Sequence, residues 1–561
     1  MIEYCKLNHT GLEIHEFPNP FLNNEDMRKI VFVTLLMLCI PMWAGLRTES
    51  KMRKIAASKL LGSTKEASKM EVLKSTSSYY IFGKEKQGFV IVSTNNSATP
   101  VLGYSSSEYK ENDMPPAFKR WLKAVETSPL DEKTSTPYTV TPNFLPTKWG
   151  QSDPFNYLCP EVNNTKTPCG CIATAMGQIM YYYQYPSQGV GNGYYTLETT
   201  GEARYPDEIK GEYRWDLMKT YYSNITISEE ERLAVAILLK DAGVASHMHY
   251  DVDNSGTLSN YAALAFVNNF GYDANTIQYM QKKFYSKEEW DSIIYEELAA
   301  KRPILAGGYD SEDGGHAFVF SGVDEDGRIY VNWGWNGNAD GFYEITALKP
   351  RYTSRPDLTL DFSLDNDIIY GIQPAQSEPD KSLQHSKWAC EEPFTAEYQK
   401  IRNWLKVKTS FIYNISIFPF TGEIKLYCKS ADGDETKDKI YTYLDFSRET
   451  VSSEYGYRSR TATIKTTDLT PGKYYIYLVS QATDEATPQK VRCPGGLIQY
   501  VMTKEENGVL IIENDDTVDN ISTCQPTPLK NPSTIYDLSG RKLNSIQKKG
   551  IHIQNGIKII Q

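Results

Sequence analysis

The stretch Pro168-Cys-Gly-Cys-Ile-Ala-Thr-Ala-Met-Gly-Gln-Ile-Met180 reads as the start of a buried helix with a cysteine at its tip. Ile172, Ala175, Met176, Ile179, Met180 and Tyr183 recur at helical spacing, which buries one face and fixes Cys171 at the N-terminal end. Unpaired N–H groups and the positive end of the helix dipole gather there, so a cysteine in that position tends toward thiolate. Far downstream, Gly314-Gly-His-Ala-Phe-Val319 carries a histidine into a strand-like run. A thiol and an imidazole remote in sequence and adjacent in space are the minimum for cysteine-based acyl transfer.

The rest of the chain sets the frame for that pair. At 561 residues it has room for three to four domains of about 150 residues each. A net charge of −11, with no clustered Lys or Arg, argues against a nucleic-acid partner. Met27-Arg-Lys29, the apolar run Ile30–Ile40 and Pro41-Met-Trp-Ala-Gly45 read as a secretory signal at 27–45. Its apolar run falls short of the roughly 20 residues that span a bilayer. Residues 1–26 are polar without targeting logic, which places the translation start at Met27. Leu38 stands before Cys39 where lipid attachment wants a small residue. Past the signal remain Cys159, Cys169, Cys171, Cys390, Cys428, Cys493 and Cys524. The odd count suggests a free reactive thiol or an intermolecular bond; the others are too scattered for a disulfide framework, and a Cys159–Cys169 bond stays open.

Five segments follow the signal. In 46–140, Tyr79–Phe82 and Gly88–Ser93 read as a hairpin, Phe118, Trp121, Leu122 and Val125 share a helical face, and Thr134–Pro142 reads as an exposed linker. In 141–373, Ser228 with Glu231 and Ser286 with Glu289 are capping boxes. Strand signals follow at Ile304–Ala306, Ala317–Phe320, Ile329–Trp333 and Gly341–Ile345. Helices early and an antiparallel sheet late give an α+β unit. A polar linker at 374–395 precedes a β-sandwich at 396–515, read from Phe411–Phe418, Glu423–Tyr427, Thr461–Thr466 and Tyr474–Val479. Two short hairpins close the chain at 530–561.

Four pieces converge on one mechanism. Cys171 is the nucleophile and His316 the base that later protonates the leaving amine. Asn332, on the strand after the histidine, is placed to hold the imidazole's second N–H, with Trp333 shielding that bond. Gln151, in Trp149-Gly-Gln-Ser-Asp-Pro-Phe-Asn156, is placed to donate to the oxyanion with the Cys171 N–H. Each piece alone also has a bland reading: an inert buried thiol, a strand-end histidine, hairpin residues, a surface glutamine. Their order and flanking glycines favour the functional one. His247-Met-His249 with Cys169 and Cys171 has the donor types of a zinc site, yet reads better as a polar strand face. The acidic turns Asp324–Gly327 and Asn514–Asp516 read as turns rather than calcium sites.

Trp149-Gly-Gln, Gly170–Met180, Gly315-His-Ala-Phe-Val319 and Val331-Asn-Trp-Gly-Trp335 resemble the streptopain family of secreted cysteine peptidases, over residues 75–373. The resemblance implies a papain-like domain made as a zymogen, behind an α+β propeptide at 46–140 that inhibits it. It implies Cys171 and His316 as the catalytic pair, with Gln151, Asn332 and Trp333 in support and Gly315 contacting the substrate backbone. The loop Asp251–Leu258 then belongs to the acyl-side subsites, and maturation falls within Thr134–Phe144. It further implies protein or peptide substrates, preference for a hydrophobic second residue before the scissile bond, and no cofactor or metal. Two departures stand out. Cys169 precedes the nucleophile closely enough for a protective disulfide, or is simply a buried thiol. The C-terminal extension has no streptopain counterpart; its end resembles type IX secretion sorting signals, which implies that machinery as a partner and a secreted or cell-surface location. The competing readings are a surface adhesin on a degenerate papain-like scaffold, and a transamidase or amidase using the same residues.

Overall fold

The computed structural model describes residues 45–127, 136–201, 203–310, 314–345, 366–375 and 386–515. It also describes short strands at 7–8, 11–12, 535–536, 542–543, 551–554 and 557–560. Apart from Gly45 the expected signal lies outside the described residues, as do the remainder of 1–26 and most of the tail. Tail strands Ile551–Gln554 and Ile557–Ile560 pair antiparallel, as one of the expected hairpins.

Helix α1 (Glu49–Leu61) starts at Thr48, whose side chain accepts from the Lys51 N–H, and stops where Gly62 turns to φ 71°. A meander follows: β1 (Glu71–Ser75), β2 (Tyr79–Lys84), β3 (Gly88–Ser93) and β4 (Val101–Ser105). The expected hairpin is β2–β3, with Phe82 opposite Val90. Alternation along β3 sends Val90 and Val92 to α1, and Phe89 and Ile91 to helix α2 (Pro116–Thr127).

In the second unit, α3 (Cys171–Tyr183), α4 (Glu229–Ala245) and α5 (Ser259–Asn268) come first. Then come β5 (Gln278–Gln281), α6 (Lys287–Ala299), β6 (Ile304–Asp310), β7 (Gly314–Val323), β8 (Ile329–Asn332), β9 (Gly341–Tyr343) and β10 (Asn366–Tyr370). Both expected capping boxes are formed, opening α4 and α6. Ala317 and Val319 of β7 join α3, α4 and α5 in one core, while Phe318 and Phe320 join α2 and α6 in another. Gly177 lets α3 and α4 close up: a Cβ there would lie 2.2 Å from Leu239 Cδ2.

One finding was invisible in the sequence. Strand β9 pairs with β4, Phe342 opposite Tyr104, so both units share a ten-stranded sheet ordered β5-β10-β6-β7-β8-β9-β4-β3-β2-β1. Ser105 Oγ seals the junction on the Asp340 carbonyl, 235 residues away, at 2.6 Å.

From residue 386 to 515 the chain is built mainly of strands, with short 3-10 turns at Glu435–Lys437 and Thr466–Asp468. β11 (Trp388–Cys390) is a correction, because it lies inside the stretch expected as linker. Its three apolar residues were masked by polar neighbours, yet Trp388 is fully buried. β12 (Thr395–Gln399), β13 (Trp404–Thr409), β14 (Ile412–Asn414), β15 (Gly422–Ser430), β16 (Lys439–Asp445), β17 (Arg460–Lys465) and β18 (Gly472–Ala482) follow. β19 (Arg492–Cys493), β20 (Tyr500–Lys504) and β21 (Leu510–Asn514) complete sheets wrapped around one core. Arg492 docks this unit on the second: it donates to Glu289 at 3.1 and 3.0 Å and to the Phe284 carbonyl at 3.2 Å. Its guanidinium also lies 3.8 Å from the Tyr285 ring centre.

Candidate active site

Helix α3 begins at Cys171 because Gly170 holds φ 90°, a conformation that favours glycine. A Cβ on Gly170 would sit 2.7 Å from Met248 Cε and 3.1 Å from the Ser255 carbonyl. The loop Asp251–Leu258 therefore abuts the residue just before the thiol.

Strand β8 ends at Asn332, opposite Val319, so the start of β7 has no partner strand on that side. The Cys171 thiol takes that place. The amides of Ala317, next to His316, and of Cys171 and Ile172 at the helix end act on it, each pulling the thiol down. Thiol and imidazole-bearing strand thus meet where β8 leaves off. Gln151 lies beside them: its carbonyl accepts the Cys169 N–H at 3.0 Å, and the Gly150 carbonyl accepts Thr174 Oγ1 of α3 at 3.1 Å. Gly315 precedes the histidine on β7, opposite Tyr309.

The electrostatics differ from the helix-end expectation. Burial pushes the Cys171 thiol up, outweighing the three amides and the Arg120 guanidinium, which pull it down. Burial, followed by the same guanidinium, holds the His316 imidazole down to about 3. At neutral pH both groups are therefore neutral here, rather than a thiolate–imidazolium pair.

Arg120, which the sequence reading missed, belongs to α2. At 100° per residue it lies roughly opposite Phe118 and its apolar stripe, yet it is only 5% exposed. Ala117 and Ala124 flank it on that second buried face. Burial of both faces marks a helix clamped between two bodies. Phe118 packs edge-on against Trp333 (5.9 Å between ring centres) and against Tyr343 (5.6 Å).

Asn332 is corrected. Its Nδ2 donates to the Thr147 carbonyl (2.7 Å) and to Gln178 Oε1 (3.0 Å). Its Oδ1 accepts from Gln178 Nε2 (3.1 Å) and the Gly334 N–H (3.0 Å). All four positions of the amide are taken, so none remains for the imidazole. The cause is register: Asn332 faces Val319, not His316. Trp333 consequently shields no such bond; it is 2% exposed and packs on Phe318, two residues from the histidine on the same strand face. Gln178, also missed, further accepts the Trp149 N–H at 3.2 Å and ties α3 to both flanking segments. A polar residue amid the apolar positions of a buried helix was its one signal.

The zinc alternative fails on geometry. His247 has φ 58° and stacks on Tyr194, so it shares no strand face with His249. His249 is engaged by Thr196 Oγ1 (2.8 Å) and Glu198 (3.2 Å). Among the described residues no three His, Cys, Asp or Glu could hold a metal ion together. Cys169 is a free buried thiol 3.3 Å from Thr174 Oγ1, and Cys159 is free as well.

Residues 149–343 match the Peptidase C10 family, and residues 46–128 match the Spi protease inhibitor family. The chain carries a Peptidase C10 family domain. The C10 domain is preceded by a Spi inhibitor domain, as the streptopain resemblance implied. The thiol protease/hemagglutinin PrtT of Porphyromonas gingivalis is 30% identical over 62% of this chain, which spans 45% of PrtT's length. Streptopain from Streptococcus pyogenes is 29% identical over 54% of this chain and 82% of its own. A prointerpain A fragment from Prevotella intermedia is 30% identical, covering 55% of this chain and 99% of its own, with a TM-score of 0.49. Among the described residues no helix is long and apolar enough to cross a membrane.

Proposed function

We propose that this protein is a cysteine endopeptidase held as an inactive precursor by its own N-terminal unit. The observation that carries the proposal is the Cys171 thiol on the amide adjoining His316, under an α2 whose Arg120 acts on both groups. Once α2 leaves, water reaches the pair and the guanidinium departs. The imidazole can then take the thiol proton, and the thiolate attacks a substrate carbonyl. Gln151 and the Cys171 N–H receive the oxyanion, His316 protonates the leaving amine, and water hydrolyses the thioester. Gly315 lies along the substrate backbone, the loop Asp251–Leu258 lines the acyl side, and Trp333 walls the histidine. Asn332 serves as a structural amide.

The maturation cut falls before Thr141. Thr141 was expected to be exposed but is buried and paired both ways with Val323, at 2.9 and 2.7 Å. Release of the mature enzyme to the exterior or cell surface follows from the signal at 27–45 and the sorting-like tail, with the type IX machinery as partner.

The test is casein hydrolysis with mass spectrometry of the processed protein. The wild type should hydrolyse casein and show a new N-terminus between 128 and 141; Cys171→Ala should do neither. Equal inertness of the two would favour a binding protein on a degenerate scaffold.

A further inference from the structure

Cys390 and Cys493 are 103 positions apart, yet the fold brings them together. Strands β11 and β19 run parallel with Ala389 opposite Arg492, so each cysteine is the residue after a paired position. Neighbours in adjacent parallel strands lie about 4.8 Å apart, inside the roughly 4.4–6.8 Å Cα window of a disulfide. Both side chains point into one core and are fully buried. Both are free thiols in the structure, and the neighbouring Cys493 side chain is the leading cause of the raised Cys390 thiol. Cys428 offers an internal contrast: it lies in the same core, and burial alone accounts for its shift.

We propose that Cys390 and Cys493 form a structural disulfide that staples the first strand of the C-terminal unit to the strand bearing its docking arginine. Oxidation needs a disulfide-class acceptor, such as oxidised glutathione or a protein disulfide. One thiolate attacks the acceptor, a mixed disulfide forms, and the second thiolate displaces the acceptor's other sulfur. Two protons leave the cysteines, and two electrons reduce the acceptor to two thiols. Because both sulfurs are buried, exchange takes place during folding or on transient opening. The staple closes a loop of about 100 residues, and in the chain-entropy account the stabilisation grows with loop length. It also fixes Cys493 beside Arg492, the residue seated on Glu289. The inference does not rest on the catalytic reading and survives its failure.

The test uses the full chain carrying Cys171→Ala, which keeps it intact, refolded in a reduced/oxidised glutathione mixture. Free thiols are then alkylated in denaturant and the protein is digested with trypsin without reductant. The expected product joins peptides 388–400 and 493–504, two hydrogens lighter than their sum, with Cys428 alkylated. The oxidised protein should melt roughly 5–10 °C above its reduced form, and Cys390→Ser with Cys493→Ser should abolish that difference. Full alkylation of Cys390 and Cys493 after refolding, or linkage of either to another cysteine, would overturn the proposal. The peptide map needs no variant at the pair, so a poorly folding double variant leaves the test intact.

Discussion

Phe118→Ala should unlatch the precursor without unfolding it. Phe118 is fully buried, with ring centres 5.8 Å from Phe89 and 6.1 Å from Trp121 inside the inhibitor unit. Across the boundary it meets Trp333 at 5.9 Å and Tyr343 at 5.6 Å. Truncating a buried phenylalanine to alanine removes about 3–5 kcal/mol. Half of these contacts cross the boundary, so about 1.5–2.5 kcal/mol acts on closed against open, a roughly 10- to 60-fold rise in the open fraction. Iodoacetamide labelling of Cys171, 7% exposed when closed, reads that fraction. A precursor kept whole by His316→Ala is the background, and Leu405→Ala, an equally buried change in the C-terminal core, is the control. Labelling should accelerate by that factor for Phe118→Ala and stay unchanged for Leu405→Ala. An unchanged Cys171 rate in folded Phe118→Ala would refute the claim that α2 is latched through Trp333 and Tyr343.

Three further outcomes are expected. His316 is depressed from 6.5 to about 3 in the closed state, so the native form binds fewer protons than the open one. Its contribution to closure is present above pH 6.5 and is lost as pH falls toward 3. Hydrogen exchange at α2 amides should lose protection between about pH 6.5 and 4, and Arg120→Gln should shrink that loss; a flat profile would count against it. Gln178→Leu strands the Asn332 amide and the Trp149 N–H, at about 1–3 kcal/mol for each buried group left unpaired. Calorimetry should show a lowered Tm, and hydrolysis should fall through kcat more than KM. Arg492→Met removes charged hydrogen bonds worth about 1.5–3 kcal/mol, so limited proteolysis should separate the C-terminal unit faster; equal rates would deny Arg492 its docking role.

Much of the site was legible because its signals are local. Helix α3, the capping boxes at Ser228 and Ser286, and the strand carrying His316 each lie within a window of a few turns or strand residues. There, apolar spacing and end residues dictate the element. Strand β11 escaped because three apolar residues among polar ones make no period. Asn332 was misassigned because a side chain's bonding partners depend on strand register, and one position of slip changes which residue it faces.

By itself, then, the amino-acid order determined that a cysteine would open a buried helix, that a histidine would enter a strand, and which peptidase family the central segment resembles. Tertiary structure decided what those groups meet. The β4–β9 junction, the Gln178–Asn332 amide pair and the Cys390–Cys493 contact each join residues more than a hundred positions apart, and the Arg120 guanidinium acts on a thiol 51 positions away in another unit. Such contacts arise from sheet register and the docking of whole faces, and these come from summed burial over many residues rather than from any local pattern.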